Sequence, residues 1–163
     1  MKVITVLAAM LLCGAVNAQT YQDWHVVAND ADTVTASTTN ASGGRLMKSC
    51  YVSTQNCMWG MSLGPSCNDG ESYVVLVNAK SGVQSIGTIC RGAKKTEQHM
   101  VFDDFAAMEK ISSNDEMIGF AVAMEGGQFQ VVRFSLLGSE AATAATEAVV
   151  ISAAKDSTRD IRL

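Results

Sequence analysis

The sequence predicts a mainly β protein: an antiparallel sheet or sandwich with one short helix and a C-terminal alanine-rich helix, bordering on α+β. Three observations carry this expectation. Between residues 24 and 134, short runs of β-branched, aromatic and apolar residues are separated by turns rich in Gly, Asn and Ser. Every cysteine except Cys13 falls between Cys50 and Cys90, a stretch that reads as stapled strands. From Ser139 to about Ala154 the chain is dense in alanine and has no Gly or Pro, which favours helix.

Residues 1–18 have the three parts of a cleaved secretory leader. Lys2 gives the positive start, Val3 to Leu12 is an apolar run broken only by Thr5, and Val16-Asn17-Ala18 is a small-x-small cleavage site. The apolar run falls short of the roughly 20 residues that span a bilayer. Lipidation of Cys13 would need a small residue before it, where Leu12 stands. Cleavage before Gln19 leaves one domain over 19–154 and a flexible charged tail over 155–163.

Losing Lys2 takes the formal net charge from −4 to −5. An acidic chain repels nucleic acid and anionic lipid, both of which bind through clustered Lys and Arg. Arg91, Lys94 and Lys95 form the one local basic cluster, in a segment that reads as a solvated loop. No second apolar run is long enough for a membrane. The expected location is therefore the periplasm or the exterior, without membrane insertion after cleavage.

Export gives Cys50, Cys57, Cys67 and Cys90 their meaning. Outside a reducing cytosol an even count points to disulfides. No C-x-x-C pair is present, and neither His25 nor His99 stands at ligand spacing from a cysteine, so no metal and no cofactor is expected. Of the three connectivities, Cys50–Cys57 with Cys67–Cys90 needs least chain crossing. On the loop-entropy account the two links contribute about 2.5 and about 3.5 kcal/mol.

In chain order, Trp24 to Val27 reads as an opening edge strand, and Thr33 to Thr39 as a strand with one solvated face. Asn40 to Gly44 is a turn. Arg45 to Val52 and Cys57 to Leu63 form a hairpin through Ser53 to Asn56. Gly64 to Gly70, with Pro65, is a second turn. Tyr73 to Val77 is apolar without alternation, which predicts a central strand covered on both faces. Val83 to Cys90 sets Val83, Ser85, Gly87 and Ile89 on one face against Gln84, Ile86, Thr88 and Cys90 on the other.

Asp103 is placed to cap a short helix running to about Ser112, with Phe105 and Met108 toward the sheet. Met117 to Met124 and Phe129 to Phe134 flank Gly126-Gly127 as a hairpin, the first strand again uniformly apolar and central. In the C-terminal helix, two rows of small side chains (Ala141, Ala145, Ala148 and Ala142, Val149, Ala153) suit close packing.

Catalytic signals are sparse. His99 with Asp103 and Asp104 is the nearest approach to an acid–base cluster, and it competes with a helix cap and a loop end. Asp69 and Glu71 form a carboxylate pair in a turn, where acidic side chains are ordinarily solvated. No serine sits in a nucleophile elbow, and oxidised cysteines leave no thiolate. Met58, Trp59 and Met61 make an adaptable binding surface if exposed, and a core packed on a disulfide if not. Exposed edge strands offer a second route to partners, by strand addition.

Asp23-Trp24-x-Val26, the cysteine pair that follows, and Phe134-Ser135-Leu136-Leu137-Gly138 leading into an alanine-rich helix resemble the invasion-associated locus B family of exported bacterial proteins. Ser139 stands where that family carries an aromatic residue, and Cys67 and Cys90 are far apart where it has a close pair. The resemblance implies a periplasmic β-rich protein tied to envelope or host interaction, and no catalytic residues. Three functions follow in order: a non-enzymatic interaction protein whose partner is a protein or envelope component; a small periplasmic inhibitor inserting the Gly64 to Gly70 turn into a hydrolase; and a hydrolase using His99 and Asp103.

Overall fold

Ten antiparallel strands form one sheet in a computed structural model that describes residues 18–64, 67–92, 98–124 and 127–159. The strands are β1 (Gln19–Tyr21), β2 (Trp24–Ala28), β3 (Thr33–Thr39), β4 (Arg45–Tyr51), β5 (Cys57–Ser62), β6 (Ser72–Ala79), β7 (Gly82–Arg91), β8 (His99–Phe102), β9 (Met117–Ala123) and β10 (Phe129–Ser135). Helix α1 (Phe105–Asn114) lies between β8 and β9, and α2 (Ser139–Arg159) closes the chain. The strand order is β1-β2-β3-β4-β5-β8-β7-β6-β9-β10. The expected leader, the turn residues 65–66, the basic segment 93–97, Gly126 and the end of the tail lie outside the described residues.

One face of the sheet carries the core. Register sets Val34 beside Cys50, Leu46 beside Met61, Lys48 beside Trp59 and Met61 beside Met100. Across the other half, Val75 stands between Ile86 and Val122, and Phe120 beside Val132. Period-two alternation therefore delivers one residue in two to the same interior. Trp24, Trp59, Phe120 and Phe134 are all buried there, each contributing on the order of 3 kcal/mol of apolar transfer. Helix α2 lies over β1 to β4 and α1 over β5.

The sheet curls until its ends meet. Trp24 at the head of β2 donates its Nε1 hydrogen to the carbonyl oxygen of Ser135, 3.0 Å away at the foot of β10, and the Asp23 N–H donates to the Leu137 oxygen at 3.3 Å. Trp24 also packs edge-on against Trp59, ring centres 5.9 Å apart. The fold is thus mainly β with two helices, as the residue pattern predicts.

Several details differ from the sequence reading. Strand β1 lies outside β2, so Trp24 to Val27 is not the edge. Residues 99–102, read as a loop end, form a four-residue strand pairing with β5 and β7. The cap of α1 is Asp104, whose Oδ1 accepts the Ala107 N–H at 2.9 Å. Asp103 instead sets its carboxylate over Gly87, where a Cβ would lie 2.0 Å from its Oδ2. Met108 is buried, and Phe105, though 37% exposed, does turn toward the sheet, its ring centre 5.3 Å from the Lys48 ammonium. Helix α2 runs on to Arg159, and its buried stripe is Ser139, Ala142, Thr143, Thr146 and Val150. Ala141, Ala148 and Val149 face outward.

The most consequential difference concerns β6 and β9. Their uniform apolar runs predict cover on both faces, yet burial alternates along each strand. The helices sit only on the core face, over β1 to β5. The opposite face of β6, β9 and β10 has no layer of this chain over it among the described residues.

Candidate functional site

That uncovered face is the first candidate site. On β6, Val74 is 65% exposed and Leu76 45%; on β10, Phe129 is 62% and Val131 65% exposed. Register joins them through small residues, with Leu76 and Val131 both opposite Ala121, and Phe129 opposite Ala123. The rows form one continuous apolar strip across three strands. β10 is the last strand of the sheet, so the strip ends at an edge. Contiguous exposed apolar surface of this kind marks interaction sites, whereas single exposed apolar residues do not.

The residues singled out from sequence fall elsewhere. Trp59 and Met61 are wholly buried and belong to the core, the second of the two readings weighed for them. The physical reason is register: they share a face with Leu46 and Cys50. Met58 points to the other face, half-buried on the wall of a hollow of about 360 Å³ that also contains Gly60 and His99. His99 opens β8 and Asp103 follows its last residue. Four residues of extended chain set them roughly 13 Å apart, and the hydrogen bond of the Asp103 N–H to the Gly87 oxygen, at 3.1 Å, fixes Asp103 on β7. The two are thus anchored at different points of the sheet, His99 opposite Arg91 and Asp103 on Gly87. Asp69 and Glu71 are separately engaged: Asp69 Oδ1 accepts the Gly92 N–H at 3.2 Å, while Glu71 accepts from Asn68 and Tyr73.

Both disulfides are closed. Cys50 and Cys57 join directly opposite residues of β4 and β5 with Cα atoms 4.0 Å apart. Cys67 and Cys90 tie the turn before β6 to β7, Cα atoms 5.9 Å apart. Backbone bonds reinforce that second tie, since Gly70 N–H donates to the Cys90 oxygen and Cys90 N–H to the Glu71 oxygen. Among the described residues no three of His, Cys, Asp and Glu gather as a metal ion would require. None of their helices is long and apolar enough to cross a membrane.

Sequence reasoning missed a buried ionic cluster. Lys48 is completely buried on the core face of β4, its ammonium 2.8 Å from Glu109 of α1 and 2.5 Å from Glu147 of α2. The indole Nε1 of Trp59 donates to the same Glu109 oxygen at 2.5 Å, and the ammonium lies 5.3 Å from the Phe105 ring centre. A buried charge needs pairing to be tolerated, and here the pairing joins both helices to the sheet. The signal was present in the sequence. Lys48 has the strand parity of Leu46 and Cys50, so it must point inward with them.

Fold and surface together define a class: a disulfide-closed antiparallel sheet, curled round one core, backed by two helices, with an apolar strip on its open face. The solved structure of invasion associated protein b from Bartonella henselae has this fold. It superposes with a TM-score of 0.59 over 82% of this chain and 97% of that one, at 11% sequence identity. The resemblance read from Trp24 and the Ser135 to Gly138 segment thus holds at the level of the fold. No family model and no curated protein sequence matches the chain. The two disulfides are compatible with an extracellular or periplasmic protein.

Proposed function

We propose that the chain is an exported, non-enzymatic interaction protein of the periplasm or cell exterior, acting in envelope or host association by binding another protein through its open sheet face. The observation that carries this reading is the strip of Val74, Leu76, Phe129 and Val131, exposed across β6, β9 and β10. Four large apolar side chains held in water on adjoining strands are unfavourable unless covered. Their place at the Phe129 end of β10, the last strand in the sheet order and away from the bond of Ser135 to Trp24, suits a partner that adds a strand there and lays alternate side chains over Val131 and Leu76. The structural neighbour, an invasion-associated protein by name, points the same way.

The test is a pulldown from envelope extract with the oxidised protein, beside a Leu76→Lys/Val131→Lys variant. Both positions are exposed, so stability should change by no more than about 0.5 kcal/mol per site. Retention of a protein by the wild type and its loss from the variant is the expected result. Equal retention by the two would refute the assignment of the surface.

A further inference from the structure

A second hollow, of about 800 Å³, opens between Met61, Met100, Val122 and the turn that carries Glu71. Residues of β5, β6, β8, β9 and β10 line it. Met61, Met100, Met124 and Val122 line its wall. Unbranched, polarizable methionine side chains adapt to whatever fills the space between them. The size is that of small-molecule sites, which combine an apolar wall with a few placed polar groups.

Three of the polar groups, in a lining that also holds His99 and Gln128, present acceptor oxygens. Glu71 stands in the lining on the turn that the Cys67–Cys90 disulfide ties to β7. Its Oε2 accepts from Asn68 Nδ2 and from the Tyr73 hydroxyl, each at 3.0 Å, while Tyr73 Oη in turn accepts the Asn68 N–H at 3.1 Å. These bonds hold the carboxylate still, and its Oε1 accepts none among the described residues. They also keep it ionised to lower pH than an ordinary glutamate. Gln98 and Gln130 line the same cavity, each with a buried Oε1 that has no hydrogen-bond partner. Gln130 occupies a core-facing position, with the parity of Val132 and Phe134. A buried carbonyl without a donor is unfavourable, and rotation about the terminal side-chain torsion, which is broad for an amide, turns that oxygen into the cavity. Among the described lining residues there is no Lys or Arg, and Glu71 is the one acidic side chain.

From this arrangement we infer that the cavity binds a small primary ammonium on an aliphatic chain, the chain lying against Met61, Met100 and Met124 and the ammonium donating to Glu71, Gln98 and Gln130. An ammonium offers three donors and no acceptor, which matches three acceptors and a fixed negative charge. An anionic ligand would be repelled by Glu71. A purely apolar one would leave both amide oxygens unpaired.

The experiment is an amide-shift titration of the oxidised protein with hexylammonium, and in parallel with hexanol and hexanoate. Saturable shifts at Met100, Val122 and Gln130 are expected, with a Kd below about 1 mM for hexylammonium. Hexanol should bind at least about tenfold more weakly, because a charge-assisted hydrogen bond is lost. Glu71→Gln keeps an oxygen for Asn68 and Tyr73 and should abolish most of that preference. The ammonium-to-hydroxyl comparison needs no variant, so it decides even if Glu71→Gln misfolds. Equal affinity for hexanol and hexylammonium, tighter binding of hexanoate, or no saturable shift at these amides overturns the proposal.

Discussion

The ammonium of Lys48 lies 2.8 Å from Glu109 Oε1 although the lysine side chain has no exposed surface. The same nitrogen reaches Glu147, so one buried cation holds a carboxylate from each helix against β4. Removing one carboxylate leaves the other in place. Glu109→Gln and Glu147→Gln should therefore each cost about 1–2 kcal/mol, and the double variant about 3–5 kcal/mol, because only the double strands the charge. Lys48→Met keeps the volume and removes the desolvation cost, so it should stay within about 1.5 kcal/mol of wild type. Urea unfolding under oxidising conditions measures all four. Simple additivity of the two glutamine substitutions would show that the carboxylates act independently.

Gly138 closes the junction between the two ends of the sheet. Its φ is +86°, and a Cβ there would lie 2.1 Å from the backbone oxygen of Tyr21. Backbone cannot retreat as a side chain can, so Gly138→Ala should cost more than about 2 kcal/mol, combining left-handed strain with the clash. Trp24→Phe, at the same junction, keeps the ring contact with Trp59 and loses the bond to Ser135, at about 1 kcal/mol. A Gly138→Ala protein as stable as wild type would mean that the junction is looser than drawn here.

The two disulfides should differ in weight. Cys50–Cys57 spans 7 residues between strands already paired, and Cys67–Cys90 spans 23. Replacing Cys67 and Cys90 by serine should cost about 3.5 kcal/mol against about 2.5 for the Cys50 and Cys57 pair. The first change should also speed amide exchange at Gly70, which donates to the Cys90 oxygen, while the second leaves that amide unchanged. Exchange at single residues separates a local effect on the turn from global loss of stability.

How much of this was legible in the residues depended on what each signal measures. Alternation grouped Ile86, Thr88 and Cys90 on one face, which is the buried one, and the choice of least chain crossing gave the disulfide pairing. The runs at Tyr73 to Val77 and Met117 to Met124 misled because apolar residues look alike whether protein or solvent covers the second face. Val74 and Leu76 read as core and are exposed, which is what makes them a candidate surface. Lys48 hid for the opposite reason, since a lone lysine in a strand ordinarily points to water. Its partners lie 61 and 99 residues away along the chain, beyond any local pattern. The cavity was invisible for the same cause: β5, β6, β8, β9 and β10 each bring residues to it, and only the topology gathers them.

Acid should loosen the molecule first at two turns. Glu71 is held below its ordinary value of 4.5 by the Asn68 and Tyr73 side chains, with burial opposing weakly. Asp30 is held below 3.8 by the backbone N–H groups of Asp32 and Thr33. A carboxyl whose folded pKa is depressed binds its proton less readily in the folded state than in the unfolded one. Its contribution to stability is then complete above the ordinary value and disappears as pH falls through the folded one. The window for Glu71 opens near pH 4.5 and extends downward, and that for Asp30 opens near 3.8. Carboxyl carbon NMR should give both midpoints below those values. Both groups are exposed, so the effect should be local, appearing in the Tyr73 ring and the Thr33 amide before global unfolding. Glu71→Gln should remove the acid transition seen at Tyr73 and leave that at Thr33 in place. A midpoint for Glu71 at or above 4.5 would mean that Asn68 and Tyr73 do not hold the carboxylate in solution.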